Sequence, residues 1–275
     1  MKTIRYISGC VLAGMILAFT ACDTIKEQDR KVAFTGSISG ERTVLLEEFT
    51  GVRCVNCPLG AAEAHKLQEF FGDNLIVVGL YPQTPVNLTE PASGDMDLRT
   101  DAAEAYAKEY KVEAFPRGMV NRKSALEMEQ WGGAVAEVIS EGDNYASMTM
   151  SAILDLDKDE MQVVVNGKFE NEYKSSGVIN VIVMVLEDSI LTRQVGAPNS
   201  STASYAQNHV LRKTLSDIWG DRVASSSPAA GTDFSATYTT SMDPLWKEDK
   251  VSVVAALVDA GSKEVIQAVK VSLKK

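Results

Sequence analysis

The spacing of apolar positions changes several times along the chain, and each change marks an element. "RTVLLEEFT", residues 42–50, is a β-type run that leads into "GVRCVNC". Pro58 sits where a first helical turn tolerates it. Leu59, Ala62, Leu67, Phe70 and Phe71 then approximate one helical face before Gly72 closes the helix. "NLIVVGLYP" is a short apolar run bounded by turn residues, which predicts a strand buried on both faces. Leu98, Ala102, Tyr106 and Tyr110 recur every four residues and predict a second amphipathic helix. "KVEAFPRGMVNRK" predicts a loop, a proline and a short strand, and "MEQWGGAVAEVISE" a last helix weakened by Gly132 and Gly133. The order β-α-β-α-β followed by a helix predicts an α/β domain over residues 41–142.

From Ser147 onward the spacing drops to two, with Met148, Met150, Ala152, Leu154 and Leu156 alternating with polar residues. "MQVVVNGKFE", "GVINVIVMVLED", "DFSATYTTS", "KVSVVAALVDA" and "EVIQAVKVSL" follow as further β-type runs. They predict an all-β sandwich domain over residues 147–275. A stretch with few β features, about residues 196–232, is expected to be an insertion, and loops of that length are functional or disordered. Residues 22–40 are polar and contain Gly and Ser, as a tether would.

The first 21 residues read differently. Lys2 and Arg5 precede an apolar run, Cys10 to Ala21, that is too short to span a bilayer comfortably and lacks stop-transfer flanks, which predicts an export leader. Its end, "FTAC", resembles the lipobox of bacterial lipoproteins. That resemblance implies cleavage before Cys22 and a lipid anchor on Cys22; an ordinary secretory leader cut nearby is the alternative. The formal net charge is −10, and loss of Lys2 and Arg5 with the leader, which carries no acid, takes it to −12. No Lys/Arg cluster offsets this acidity, so nucleic acid is not an expected partner.

With Cys10 in the leader and Cys22 given to lipid, Cys54 and Cys57 remain of the four cysteines, and a multi-bridge scaffold is excluded. C-x-x-C can be a staple, half a zinc site or a redox centre. A closed zinc site needs two further ligands, and the histidines are His65 and His209 alone, so no metal or cofactor is expected. At a helix N-terminus, unpaired N–H groups and the helix dipole favour thiolate, lowering a thiol pKa from about 8.5 to roughly 3.5–7.5. Cys54 is therefore expected to attack, with Cys57, one turn deeper, resolving the mixed disulfide. Arg53 either adds a positive charge beside the attacking sulfur or is a solvated surface charge. His65 reads as a surface or core-edge residue, and His209 is a secondary candidate for reaching the redox site across the domain interface.

The strand "VLLEEF", the C-x-x-C ahead of a helix and the later "YKVEAFPRGMV" together resemble a thioredoxin-like domain. The resemblance implies that Pro116 is the cis proline facing the cysteine pair, with Phe115 bulkier than the usual residue before it. It also gives Glu48, six residues before Cys54, the place of a buried acid that moves protons to and from the deeper cysteine, with its pKa raised by burial. The residues alone say only that Glu47 and Glu48 alternate in a strand, so that one points inward. More narrowly, "EEFTGVRCVNCPLG", "FPRGMVNR" and "NHVLR" resemble the Omp-28-related outer-membrane lipoproteins. That family implies an α/β thioredoxin-like domain followed by an immunoglobulin-like β domain, an outer-membrane location, and envelope or surface proteins as partners. Two functions remain open: thiol-disulfide exchange through Cys54 and Cys57, or a binding module in which their disulfide is structural.

Overall fold

The computed structural model describes residues 30–38 and 42–273. The leader, Cys22 and much of the expected tether lie outside the described residues. The first half of the chain contains β1 (Lys31–Ile38), β2 (Val44–Phe49), α1 (Cys57–Phe71), β3 (Leu75–Leu80), α2 (Val86–Thr89), α3 (Asp101–Glu109), β4 (Arg117–Val120), β5 (Ala125–Leu126) and α4 (Trp131–Glu141). The second half is β-rich, with β6 (Ala146–Asp155), β7 (Glu160–Phe169), β8 (Ile179–Glu187), β9 (Ile190–Thr192), β10 (Tyr205–Gln207), β11 (Val210–Thr214), β12 (Asp221–Ala224), β13 (Asp233–Ser241), β14 (Val251–Asp259) and β15 (Val265–Ser272).

The largest sheet runs β15-β14-β8-β11-β3-β2-β4-β5, with β12 also paired to β8. A four-stranded sheet runs β1-β6-β7-β13, and β9 with β10 makes a two-stranded ribbon. The period-two pattern of β6 and β7 reflects burial of one face, where Met148, Met150, Val163 and Val165 pack against Val181, Val183, Val253 and Ala255. The neighbouring residues of β8 and β14, Ile182, Met184, Val254 and Ala256, pack the opposite way, with Leu45, Val78, Ala103 and Tyr106. Both strands are therefore buried on both faces, which is why their sequences are continuous apolar runs and not alternating ones.

On the other side of β2 and β3, Val44, Leu46 and Val77 meet Ala64 and Leu67 of α1 and Trp131, Val135 and Val138 of α4. The buried stripe of α1 is Cys57, Gly60, Ala64 and Leu67, whereas Leu59, Ala62 and Phe70, expected on that stripe, are exposed. Along this stripe α1 lies so close to the sheet that a Cβ at Gly60 would meet Glu48 and Pro116.

Two stretches expected to lack regular structure contain strands. Lys31–Ile38, assigned to the tether, pairs antiparallel with residues 148–155 of β6. The 196–232 region contains β10, β11 and β12. Of these, β11 matters most, because it pairs antiparallel with β8 and parallel with β3, Val210 standing opposite Gly79. Strands from before and after the boundary expected at residues 142–147 thus share one sheet.

Candidate functional site

The turn after β2 holds the cysteines. Cys54 N–H donates to Gly51 O at 3.1 Å, Cys57 N–H approaches Cys54 O at 3.4 Å, and Cys57 is the first residue of α1. Cys54 therefore precedes the helix, and the expectation that it occupies the helix N-terminus gives way to Cys57 doing so. The two sulfurs form a disulfide with a Cα–Cα distance of 5.4 Å. Their exposures are 3% for Cys54 and 2% for Cys57, so the expected contrast between an open and a shielded cysteine is not present. The reason is a covering segment, residues 193–197 after β9. Val195 N–H donates to Val52 O at 2.9 Å, and Gln194 Nε2 lies 3.2 Å from Gly51 O and 3.1 Å from Cys54 O.

Side chains alternate along β2, so Glu47 and Glu48 face opposite sides of the sheet. Both are buried. Glu47 is paired with Arg122 at 2.7 and 2.5 Å, and neither side chain is exposed. Glu48 faces α1, and its Oε1 has no hydrogen-bond partner among the described residues. Burial pushes its carboxyl from the ordinary 4.5 up to about 8, which leaves it largely protonated at neutral pH. Gly60 explains how the helix closes over this acid. A Cβ there would lie 2.7 Å from Glu48 Oε1 and 2.8 Å from Pro116 Cβ, so Gly60, Glu48 and Pro116 meet at one point. The Phe115–Pro116 peptide bond is cis.

A cavity of about 360 Å³ lies beside the disulfide, lined by Cys57, Glu48, His65, Tyr81, Tyr205 and His209 among others. Cys54 is not part of its wall. Burial first, and then the nearby Glu48 carboxyl, raises the phenol pKa of both Tyr81 and Tyr205, so both remain neutral donors at neutral pH. His209 is placed by β11 at the far wall, with its Nδ1 3.2 Å from Asp188 Oδ1. Burial pushes the Asp188 carboxyl up, but hydrogen bonds and charge from His209 outweigh it and hold the pKa at about 2.

The fold thus brings Cys57, Glu48 and His209 around one space and sets Pro116 against Glu48. It does not bring Arg53 or Phe115 to the wall of that space, whereas His65 is on it. Arg53 is exposed and pairs with Glu90 at 3.2 Å. Phe115 packs against the core between β2 and β8. His65 sits on the exposed side of α1, 3.4 Å from Glu69. Sequence reasoning missed Gln194, Gln207 and Tyr81, which form a buried chain: Tyr81 OH donates to Gln207 Oε1 at 2.7 Å, and Gln207 Nε2 donates to Gln194 Oε1 at 2.9 Å. No local pattern announces them, because Tyr81 and Gln207 meet across more than a hundred residues of chain, and so do Gln194 and the cysteine turn.

A family model described as outer membrane protein Omp28 matches residues 103–275, a span that starts after the disulfide and includes Pro116, Gln194 and His209. Among solved structures, HBP35 of Porphyromonas gingivalis is similar at 18% identity with a TM-score of 0.64, covering 84% of this chain and 75% of that one. A protein of Agrobacterium tumefaciens is similar at 11% identity with a TM-score of 0.53, covering 86% and 97%. A domain of the outer membrane lipoprotein Omp28 from Porphyromonas gingivalis is 24% identical over 47% of this chain and 88% of that chain, with a TM-score of 0.33. No curated protein matches.

Proposed function

The chain belongs to the Omp28 family of outer-membrane lipoproteins, and from that premise we propose that it exchanges disulfides with other envelope proteins through Cys54 and Cys57. In this reading residues 41–142 are a thioredoxin-like unit and residues 147–275 an immunoglobulin-like one, with Cys22 the lipidated residue that anchors both. Support for the first unit comes from its order, in which β2 and β3 are parallel, β4 is antiparallel to β2, and α1 and α4 cover one face.

The observation that carries the proposal is that Cys57 of the disulfide and the buried Glu48, whose carboxyl pKa burial pushes up to about 8, line one cavity. A partner thiolate attacks Cys54 Sγ, the Cys54–Cys57 bond breaks, and Cys57 leaves as a thiolate. Glu48 donates its proton to that leaving sulfur, and the cavity returns a proton from solvent to Glu48. A second thiol of the partner then attacks its own sulfur in the mixed disulfide, and Cys54 departs as thiolate. The partner dithiol is oxidised to a disulfide and the Cys54/Cys57 pair is reduced; the reverse sequence reduces a partner disulfide and re-oxidises the pair.

The rival reading, a binding module stapled by its disulfide, is favoured by the burial of both cysteines. A trapping experiment separates the two. Cys57→Ser leaves Cys54 able to attack and unable to be released, so mixed disulfides with envelope proteins are expected on non-reducing gels and should vanish on reduction. Cys54→Ser is expected to trap none. Absence of adducts with Cys57→Ser, in cells where the protein is folded and exported, favours the staple.

A further inference from the structure

The segment over the disulfide is held by more polar contacts than a passing loop requires. At its start, Arg193 N–H donates to Asp95 Oδ2 at 2.8 Å and Arg193 Nη1 lies 3.0 Å from Asp95 Oδ1, which fixes it to the loop after α2. In its middle, the Gln194 amide is used from both ends. Its Nε2 faces Gly51 O and Cys54 O, while its Oε1 accepts from Gln207, itself held by Tyr81. Next, Val195 N–H makes a rung to Val52 O. At its end, Gly196 has φ of 85°, and a Cβ there would lie 2.1 Å from Val55 O, so only glycine lets the segment lie this close.

These contacts occupy the backbone acceptors at positions 51, 52 and 54, the edge that an incoming extended chain would need in order to bring a sulfur to Cys54. Around that edge, Val55 and Leu59 are 62% and 60% exposed, and Val195 is 41% exposed. Resting on the exchange reading above, we propose that residues 194–196 are an internal stand-in for substrate, that Gln194 is the positioning residue holding it shut, and that the partner is an extended, apolar polypeptide segment that displaces it. Such a segment replaces the Val195 rung with one of its own and buries apolar side chains against Val55 and Leu59. A small thiol offers neither, so it must wait for the segment to lift by itself.

The test is the rate at which the oxidised, full mature chain is reduced by two probes: dithiothreitol, and a short cysteine peptide with Val and Leu on either side of the cysteine. Gln194→Ala removes the amide, and Gly196→Ala forces the segment off Val55 by a different route. Each is expected to speed reduction by dithiothreitol at least about tenfold, the effect of losing roughly two buried hydrogen bonds. The peptide is expected to gain less, because it already displaces the segment in the wild type. Rates within twofold of wild type in both folded variants overturn the proposal, and so does an equal gain for both probes, which is what mere loosening produces. The equilibrium potential keeps this apart from the exchange reading. Unchanged rates in a pair that is readily reduced defeat the covering segment and leave exchange standing. Accelerated rates in a pair as hard to reduce as a structural disulfide support the segment and defeat exchange.

Discussion

Glu48→Gln is expected to stabilise the oxidised protein by several kcal/mol at pH 8 and above while changing it little near pH 4.5. The folded-state pKa of about 8 lies above the ordinary value of 4.5, so between these limits the native state holds a proton that the unfolded chain has lost. Stability contributed by this group is therefore full below about pH 4.5 and falls as pH rises toward 8. At about 1.4 kcal/mol per unit, the loss approaches roughly 5 kcal/mol. Glutamine keeps the shape of the neutral acid and has no proton to lose, so its profile should lack this descent. Urea unfolding of the oxidised protein between pH 4.5 and 9 measures it, and parallel profiles for wild type and variant would contradict the burial argument. If Glu48 also protonates Cys57, the same variant should slow exchange by about a hundredfold or more.

The adjacent residue is expected to give the opposite result. Glu47→Gln leaves the Arg122 guanidinium without a counter-charge where neither side chain reaches solvent, at an expected loss of about 3–5 kcal/mol. The Tyr106 ring, 4.1 Å from the guanidinium carbon, offsets only part of this. Replacing both partners, Glu47→Leu with Arg122→Met, should recover most of the loss, because no charge then remains buried. Equilibrium unfolding of the single and double variants checks this. A single variant within about 1 kcal/mol of wild type would show that the pair carries little of the stability. Two neighbouring glutamates, separated by the alternation of one strand, thus have opposite consequences: one pairs with a buried guanidinium and the other, without such a partner, has its carboxyl pKa pushed up by burial.

The parts of the fold written in local pattern were legible. Apolar spacing located β2, α1, β3, α3 and α4 in the first half and β6, β7, β13, β14 and β15 in the second. What local pattern could not show is how the halves join. β11 is five residues long, and its pairing with β3 depends on Gly79, whose N–H donates to His209 O at 2.7 Å. β1 went unseen because its partner β6 lies more than a hundred residues away and "KVAFTGSI" is too polar to stand out. The candidate site divides in the same way. The cysteines could be named from spacing and Glu48 from the resemblance to a thioredoxin-like domain, but the partner of Glu47, the contacts of Gln194 and the glutamine chain beneath it exist only once distant segments meet.

The central claim is that the Cys54/Cys57 bond is an exchange centre, and its reduction potential tests that most directly. Equilibration of the mature protein with defined thiol buffers, read by mass after alkylation, gives the value. Exchange predicts a potential in the span of known exchange proteins, roughly −270 to −120 mV, whereas a value below about −300 mV, where structural disulfides of exported proteins lie, would contradict it.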